Sequence, residues 1–173
     1  MPDDKMYIPL HVGAEGKLDS TGKSLDLGYQ KDNSGDNISD KNSQFCELTG
    51  LYWAWKNLKA DYIGLVHYRR YFKGNAKNTK KSNRKSRFSR VLTYNQFRPL
   101  MEEYKIIVPQ KRRYYIETLE QHYSHNHHIE ELNTARDILF EKYPEYKVSY
   151  NKTMRRTWGY MFNMMILKRD LMD

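Results

Sequence analysis

Apolar positions fall in short runs divided by long polar stretches, and their spacing switches between two and three-to-four residues along the chain. Residues 7–12, Tyr-Ile-Pro-Leu-His-Val, alternate in part and stop at Gly13, which predicts a strand entering a loop, with Pro9 favouring an edge or a strand start. Residues 13–40 are dominated by Gly, Ser, Asp, Asn and Lys, a loop whose length marks it as functional or mobile. Phe45, Leu48, Tyr52 and Trp55 then recur at helical spacing, so Asn42 or Ser43 is expected to cap one helix running to Asn57. Residues 61–68 form an apolar strand whose far end turns abruptly cationic. Thr93 or Asn95 opens a helix through Phe97, Leu100 and Met101, and residues 106–108 make a buried strand stopped by Pro109. Two further helices are predicted over 116–122 and 129–141, the second with Ile129, Leu132, Ile138 and Leu139 on one face, and Pro144 follows them. The nearly continuous apolar run over 160–167 predicts a strand buried on both faces.

Strands alternating with helices give the α/β class, with a mainly parallel or mixed sheet flanked by helices. A length of 173 residues fits a single domain over 1–173. No apolar run approaches the ~20 residues of a membrane span. The first residues lack a secretory layout and the lone Cys46 has no internal disulfide partner, so the cytoplasm is the expected compartment. Fifteen Tyr and three Trp argue for a chain that buries rings. Cys46, set among apolar helical positions, reads as a buried structural thiol.

The net charge of +9 changes the picture only locally. Eight of the 30 basic residues lie between Lys73 and Arg90 with no acid among them, leaving 22 basic against 21 acidic residues elsewhere. Residues 73–90 therefore read as a basic, flexible insert. It is either a solubilising loop or a peripheral contact with an anionic membrane, and nucleic acid is not an expected partner.

In an α/β sheet, ligands bind beyond the carboxyl ends of the strands. After Val66, at the carboxyl end of the strand over 61–68, stand His67, Tyr68, Arg69 and Arg70, forked donors for phosphate oxygens interleaved with flat rings. After the strand at 106–108 stand Lys111, Arg112 and Arg113, the same chemistry repeated. Ahead of the first helix, Asp36, Asn37, Asp40, Lys41 and Asn42 can grip hydroxyls or anions, and either carboxylate can act as a general base. His122, His125, His127 and His128 invite a metal reading, but they straddle an expected helix break at Asn126 and lack the HExxH pattern, so histidines on the surface or against substrate are expected. Neither GxxxxGK[ST] nor GxGxxG occurs.

The segments YIPLHVGAEGK, GDNISDKN, FCELTGLYWAWKN, DYIGLVHYRRYF, IIVPQKRRYYIETLEQHYSHNH and MFNMMILKRDL resemble, in order, the domain-of-unknown-function 4422 family of bacterial capsular and exopolysaccharide glycosyltransferases. The resemblance implies a single GT-A-like, Rossmann-like domain that moves a sugar from a nucleotide-sugar donor to a glycan or lipid-linked glycan acceptor. It also implies a further strand ahead of Met1 and a helical segment beyond Asp173, so the chain is expected to be shortened at both ends. Asn37, Lys41, Asn42, His67, Tyr68, Arg69 and Arg70 then become donor-binding candidates. Lys111, Arg112, Arg113, His122 and His125 become acceptor-side candidates, and Asp36, Asp40 and Glu117 candidate catalytic carboxylates. His67-Tyr68-Arg69 stands where such enzymes place an acidic metal motif, so no metal ligand and no cofactor is assigned, and metal-independent transfer is expected. The alternatives are a non-catalytic glycan- or anion-binding module and a nucleic-acid-binding protein acting through the insert.

Overall fold

Helix–strand alternation places two strands side by side in direction, and the last strand of the chain fills the space between them. A computed structural model describes residues 2–74 and 88–173. The chain packs as two compact units, Met1–Val108 with Asn163–Asp173, and Pro109–Phe162. In the first, strands β1 (Leu10–His11) and β2 (Gln30–Lys31) pair in parallel, and β3 (Tyr62–Leu65), β4 (Ile106–Ile107) and β7 (Met165–Lys168) form a sheet in the order β3-β7-β4. Both pairings of that sheet are antiparallel, with Leu65 opposite Met165 and Ile107 opposite Ile166. Strands β3 and β4 do run in one direction, as helix–strand alternation requires, but β7 lies between them, so the expected parallel neighbours are separated. Gly64 permits this pairing, because a Cβ there would meet Ile166 Cγ1 at 2.9 Å and the Met165 carbonyl at 3.1 Å.

The core lies between this sheet and helix α3 (Tyr94–Glu103). Thr93 and Gln96 form a reciprocal capping box that starts the helix, and Phe97 and Met101, four residues apart, enter a cluster with Phe72, Leu92, Met164 and Ile166. Truncating Phe97 here costs about 3–5 kcal/mol. Tyr62 meets the Phe97 ring edge-on at 5.6 Å and donates its hydroxyl to Met101 O.

The helix expected over 42–57 is two helices. Cys46 sits at φ 48, ψ −129, which breaks the chain into α1 (Asn42–Phe45) and α2 (Leu48–Asn57), and its thiol is exposed rather than buried. The bend resets the helical phase, so α2 buries Thr49, Gly50 and Trp53 and leaves Phe45 exposed. Gly50 faces Leu10 and Val12, each only 2.7 Å from where a Cβ would stand, and this close approach seats the first strand on α2.

The second unit joins a ribbon of β5 (Arg112–Arg113) and β6 (Trp158–Gly159) to helices α4 (Leu119–Asn126), α5 (Ile129–Lys142) and α6 (Lys147–Met154). A Thr118–Gln121 capping box sets the start of α4, three residues later than the spacing predicts, and Ile116 is left 91 % exposed. The apolar run over 160–167 is not one strand. Strand β6 ends at Gly159, Phe162 and Asn163 turn the chain at positive φ, and β7 starts only at Met165, with Met164 and Ile166 buried.

The basic insert falls mostly on residues 75–87, outside the described residues. Its flanks are tied together: Gly74 N donates to Arg90 O at 2.8 Å, and Leu92 N to Phe72 O at 2.8 Å.

Candidate functional site

The carboxyl end of β3 carries the first cluster. Beyond Leu65 the chain turns tightly, with Arg70 N donating to His67 O at 3.1 Å, and the turn throws Tyr68, Arg69 and Arg70 to the surface. The Arg69 guanidinium lies 4.8 Å from the centre of the Tyr68 ring, which limits its freedom while leaving N–H donors outward. Because β7 is antiparallel to β3, its leading end arrives at the same place. Asn163 Nδ2 donates to Glu47 Oε1 at 3.3 Å, and His67 Nε2 stands 3.7 Å from the same oxygen. Glu47 follows the left-handed Cys46, and Asn163 is itself at φ 50, so two uncommon backbone conformations set this carboxylate against His67. In the single helix that the spacing predicts over 42–57, Glu47 falls in the first turn, where a carboxylate is favourable, and has no other role. No local signal marks the bend at Cys46 or the arrival of Asn163 from 116 residues away.

The second cluster organises the loop between β1 and α1 around a residue that the sequence leaves unmarked. Asp32, 0 % exposed, accepts four hydrogen bonds: from Gly13 N at 2.8 Å, Ala14 N at 3.1 Å, Ser39 Oγ at 2.5 Å and Thr49 Oγ1 at 2.7 Å. Burial alone would push its carboxyl up, but the four donors outweigh burial and hold it below the usual carboxylate range. Of the residues expected here to bind a donor, Asn37 is a local brace, its Oδ1 accepting from Ser39 N. Asn42 packs on Gly13, which has no room for a Cβ, and donates to Cys46 O at 2.7 Å and to Thr49 Oγ1 at 3.2 Å instead of capping a helix. Asp36 accepts from the Tyr52 hydroxyl at 3.1 Å, which raises that phenol's pKa. Asp40 and Lys41 lie exposed in the 3-10 turn Ser39–Lys41. The bond from Asn42 to Cys46 O joins this loop to the bend that presents Glu47.

In the second unit Glu117 is clamped between two imidazoles, His122 Nδ1 at 3.1 Å and His125 Nδ1 at 2.8 Å. The hydrogen bond from His122, then that from His125, lowers its carboxyl pKa. The His122 ring lies on Tyr114 with centres 3.9 Å apart. Lys111 sits 4.1 Å from the centre of the Trp158 ring, and Arg112 5.4 Å from that of Tyr114; Arg113 is exposed on β5. Thus Glu117, His122 and His125 are brought together, as are Lys111 and Arg112 with rings of the ribbon. Among the described residues no three His, Cys, Asp or Glu side chains are grouped to hold a metal ion, and no helix is long and apolar enough to cross a membrane.

Against solved structures, the chain is similar to the apo structure of the bifunctional glycosyltransferase WbbM, with a TM-score of 0.81 and 28 % identity over 99 % of this chain. It spans 32 % of that structure's chain. No curated protein sequence matches it. The family model described as Domain of unknown function (DUF4422) matches residues 1–173, and the chain belongs to that family.

Proposed function

We propose that the protein is a glycosyltransferase that moves a sugar from a nucleotide-sugar donor to a glycan or lipid-linked glycan acceptor in the assembly of a surface polysaccharide. The observation that carries this reading is the likeness of nearly the whole chain to part of a bifunctional glycosyltransferase. In the proposed reaction the acceptor hydroxyl oxygen forms a bond to the anomeric carbon of the donor. The bond from that carbon to the donor's phosphate oxygen breaks, and the nucleoside diphosphate leaves with the electron pair. A carboxylate takes the acceptor's proton, and Asp36, Asp40 and Glu117 are the candidates. Glu117 is kept ionised by its two histidines, while Asp36 shares its oxygen with Tyr52.

The His67–Arg70 turn is the proposed seat of the donor pyrophosphate, with Arg69 and Arg70 as its cations and Asn37, Lys41 and Asn42 on the neighbouring loop. Guanidinium donors fixed near the leaving diphosphate stabilise the charge that develops on it, which supports transfer without a metal ion. Glu47, held by Asn163, positions His67 at the edge of that seat. The proposed setting is cytoplasmic, with peripheral contact at an anionic membrane.

The test is release of nucleoside diphosphate from a panel of nucleotide sugars, with and without a chelator. Release from one donor class that survives chelation supports the reading. Release that requires magnesium or manganese overturns metal independence, and the absence of release from every donor, with no donor bound, overturns the transferase assignment.

A further inference from the structure

The outward face of the β5–β6 ribbon combines positive charge and aromatic surface, and the ribbon's own residues include no acid. Residues 109–116 and 155–162 together carry five Lys or Arg, five aromatic rings and no Asp or Glu. Arg113 stands opposite Trp158 and Arg112 opposite Gly159, so the two-residue alternation puts Lys111, Arg113, Trp158 and Tyr160 on one face. Gly159 points the other way, against Leu119 and Met161. On the outward face Lys111 Nζ lies 4.1 Å from the Trp158 ring centre and 5.8 Å from that of Tyr160, and the Arg156 guanidinium lies 4.7 Å from Trp158. The Trp158 and Tyr160 rings meet at 82° with centres 6.2 Å apart, and Tyr160 is half exposed.

Among the described residues none of the ribbon's cations is in an ion pair. A cation seated on a ring keeps its remaining N–H donors free for an anionic oxygen, and several such cations without a carboxylate draw anions to the face. The ring geometry decides which anion fits. A nucleic-acid strand stacks its bases on open, successive ring faces. Here Trp158 is covered by Lys111 and Arg156, and Tyr160 stands nearly perpendicular to it, so no run of bases can stack. A chain of sugar rings bearing carboxylates needs only spaced cations and one open ring against which an apolar sugar face can lie.

We infer that this face binds an acidic glycan, with its carboxylates on Lys111, Arg113 and Arg156 and one sugar ring against Tyr160. The inference rests on the glycosyl-transfer reading for its role as the acceptor seat. It extends the acceptor side from β5 onto β6, bringing in Arg156, Trp158 and Tyr160.

The test is calorimetric titration with hexagalacturonate at fixed ionic strength, with maltohexaose as the neutral control and an oligothymidylate as the nucleic-acid control. Tryptophan emission is followed in parallel. Hexagalacturonate is expected to bind at least tenfold more tightly than either control and to change the emission, and Trp158→Phe removes the emission change. Joint Lys111→Gln and Arg156→Gln substitution weakens binding at least tenfold, and Tyr160→Ala at least threefold, with circular dichroism confirming that each variant folds. Gln keeps the Cβ–Cγ–Cδ stem and a polar end but carries no charge, so a loss in the folded variant reports charge rather than collapse. Equal binding of maltohexaose, tighter binding of the oligothymidylate, or binding that survives both sets of substitutions overturns the inference. Nucleoside diphosphate binding to the unsubstituted protein is measured separately by thermal shift. Its failure alongside intact hexagalacturonate binding removes the transferase reading and leaves the glycan face standing.

Discussion

Replacing Asp32 with Ala removes the single acceptor of four hydrogen bonds in a fully buried place. The two hydroxyls among the donors can turn elsewhere; Thr49 Oγ1 already lies 3.1 Å from Cys46 O. The N–H groups of Gly13 and Ala14 cannot, and a buried donor left without a partner costs about 1–3 kcal/mol each. The expected loss is therefore about 4 kcal/mol, which lowers Tm by roughly 8–16 °C for a chain of this size. Asp32→Asn keeps one acceptor but turns an amide N–H₂ toward donors, so a loss of about 2–3 kcal/mol is expected. The pH dependence carries a sign. The folded carboxyl lies below its ordinary 3.8, so its contribution is fully present above that value and is lost as pH falls through the lower folded value. Thermal melts of the wild type and Asp32→Asn from pH 3 to 7 should show a gap that is constant above about pH 5 and narrows toward pH 3. A loss under about 1 kcal/mol for Asp32→Ala, or a gap that does not change with pH, would refute the assignment of Asp32 as the loop's hub.

Arg69→Ala should weaken nucleoside diphosphate binding at least tenfold while changing nucleoside binding less than twofold, measured by calorimetry; equal losses would contradict a pyrophosphate role. Deleting residues 77–87 should leave Tm within about 3 °C, because the bonds from Gly74 to Arg90 and from Leu92 to Phe72 close the flanks. Binding to vesicles rich in anionic phospholipid should fall, and loss of the fold would show that the segment carries core. An NMR titration should place the Glu117 carboxyl below the usual Glu range, and His122→Ala with His125→Ala should return it upward; an unmoved value would rule out the two-histidine clamp.

Much of the fold was legible where the signal is local. Phe97 and Met101 mark one buried face of α3, Ile63 is the buried residue of β3, and α5 begins at Ile129 as its spacing predicts. The position of His67–Arg70 just beyond a strand was legible for the same reason. What was not legible depends on partners distant in the chain. Strand β2 is two residues long, Gln30–Lys31, and exists only because β1 lies beside it. The bend at Cys46 has no composition signal, since non-glycine residues at positive φ are held there by surrounding contacts and not by preference. Asp32 looks like one more acid in a polar loop until Gly13 and Thr49 are folded around it. Glu47 gains its place only when Asn163 and His67 arrive from opposite ends of adjacent strands.

A nucleotide-sugar site is tested most directly by calorimetric titration of the purified chain with nucleoside diphosphates, the matching nucleotide sugars and the bare nucleosides, paired with thermal melts. One nucleotide class is expected to bind specifically, with the diphosphate far tighter than the nucleoside, and to stabilise the fold by about 2.7 kcal/mol at a hundred times its Kd. Stabilisation by inorganic pyrophosphate as strong as by any nucleotide, or by no nucleotide at all, would contradict a nucleotide-sugar site at the carboxyl end of β3.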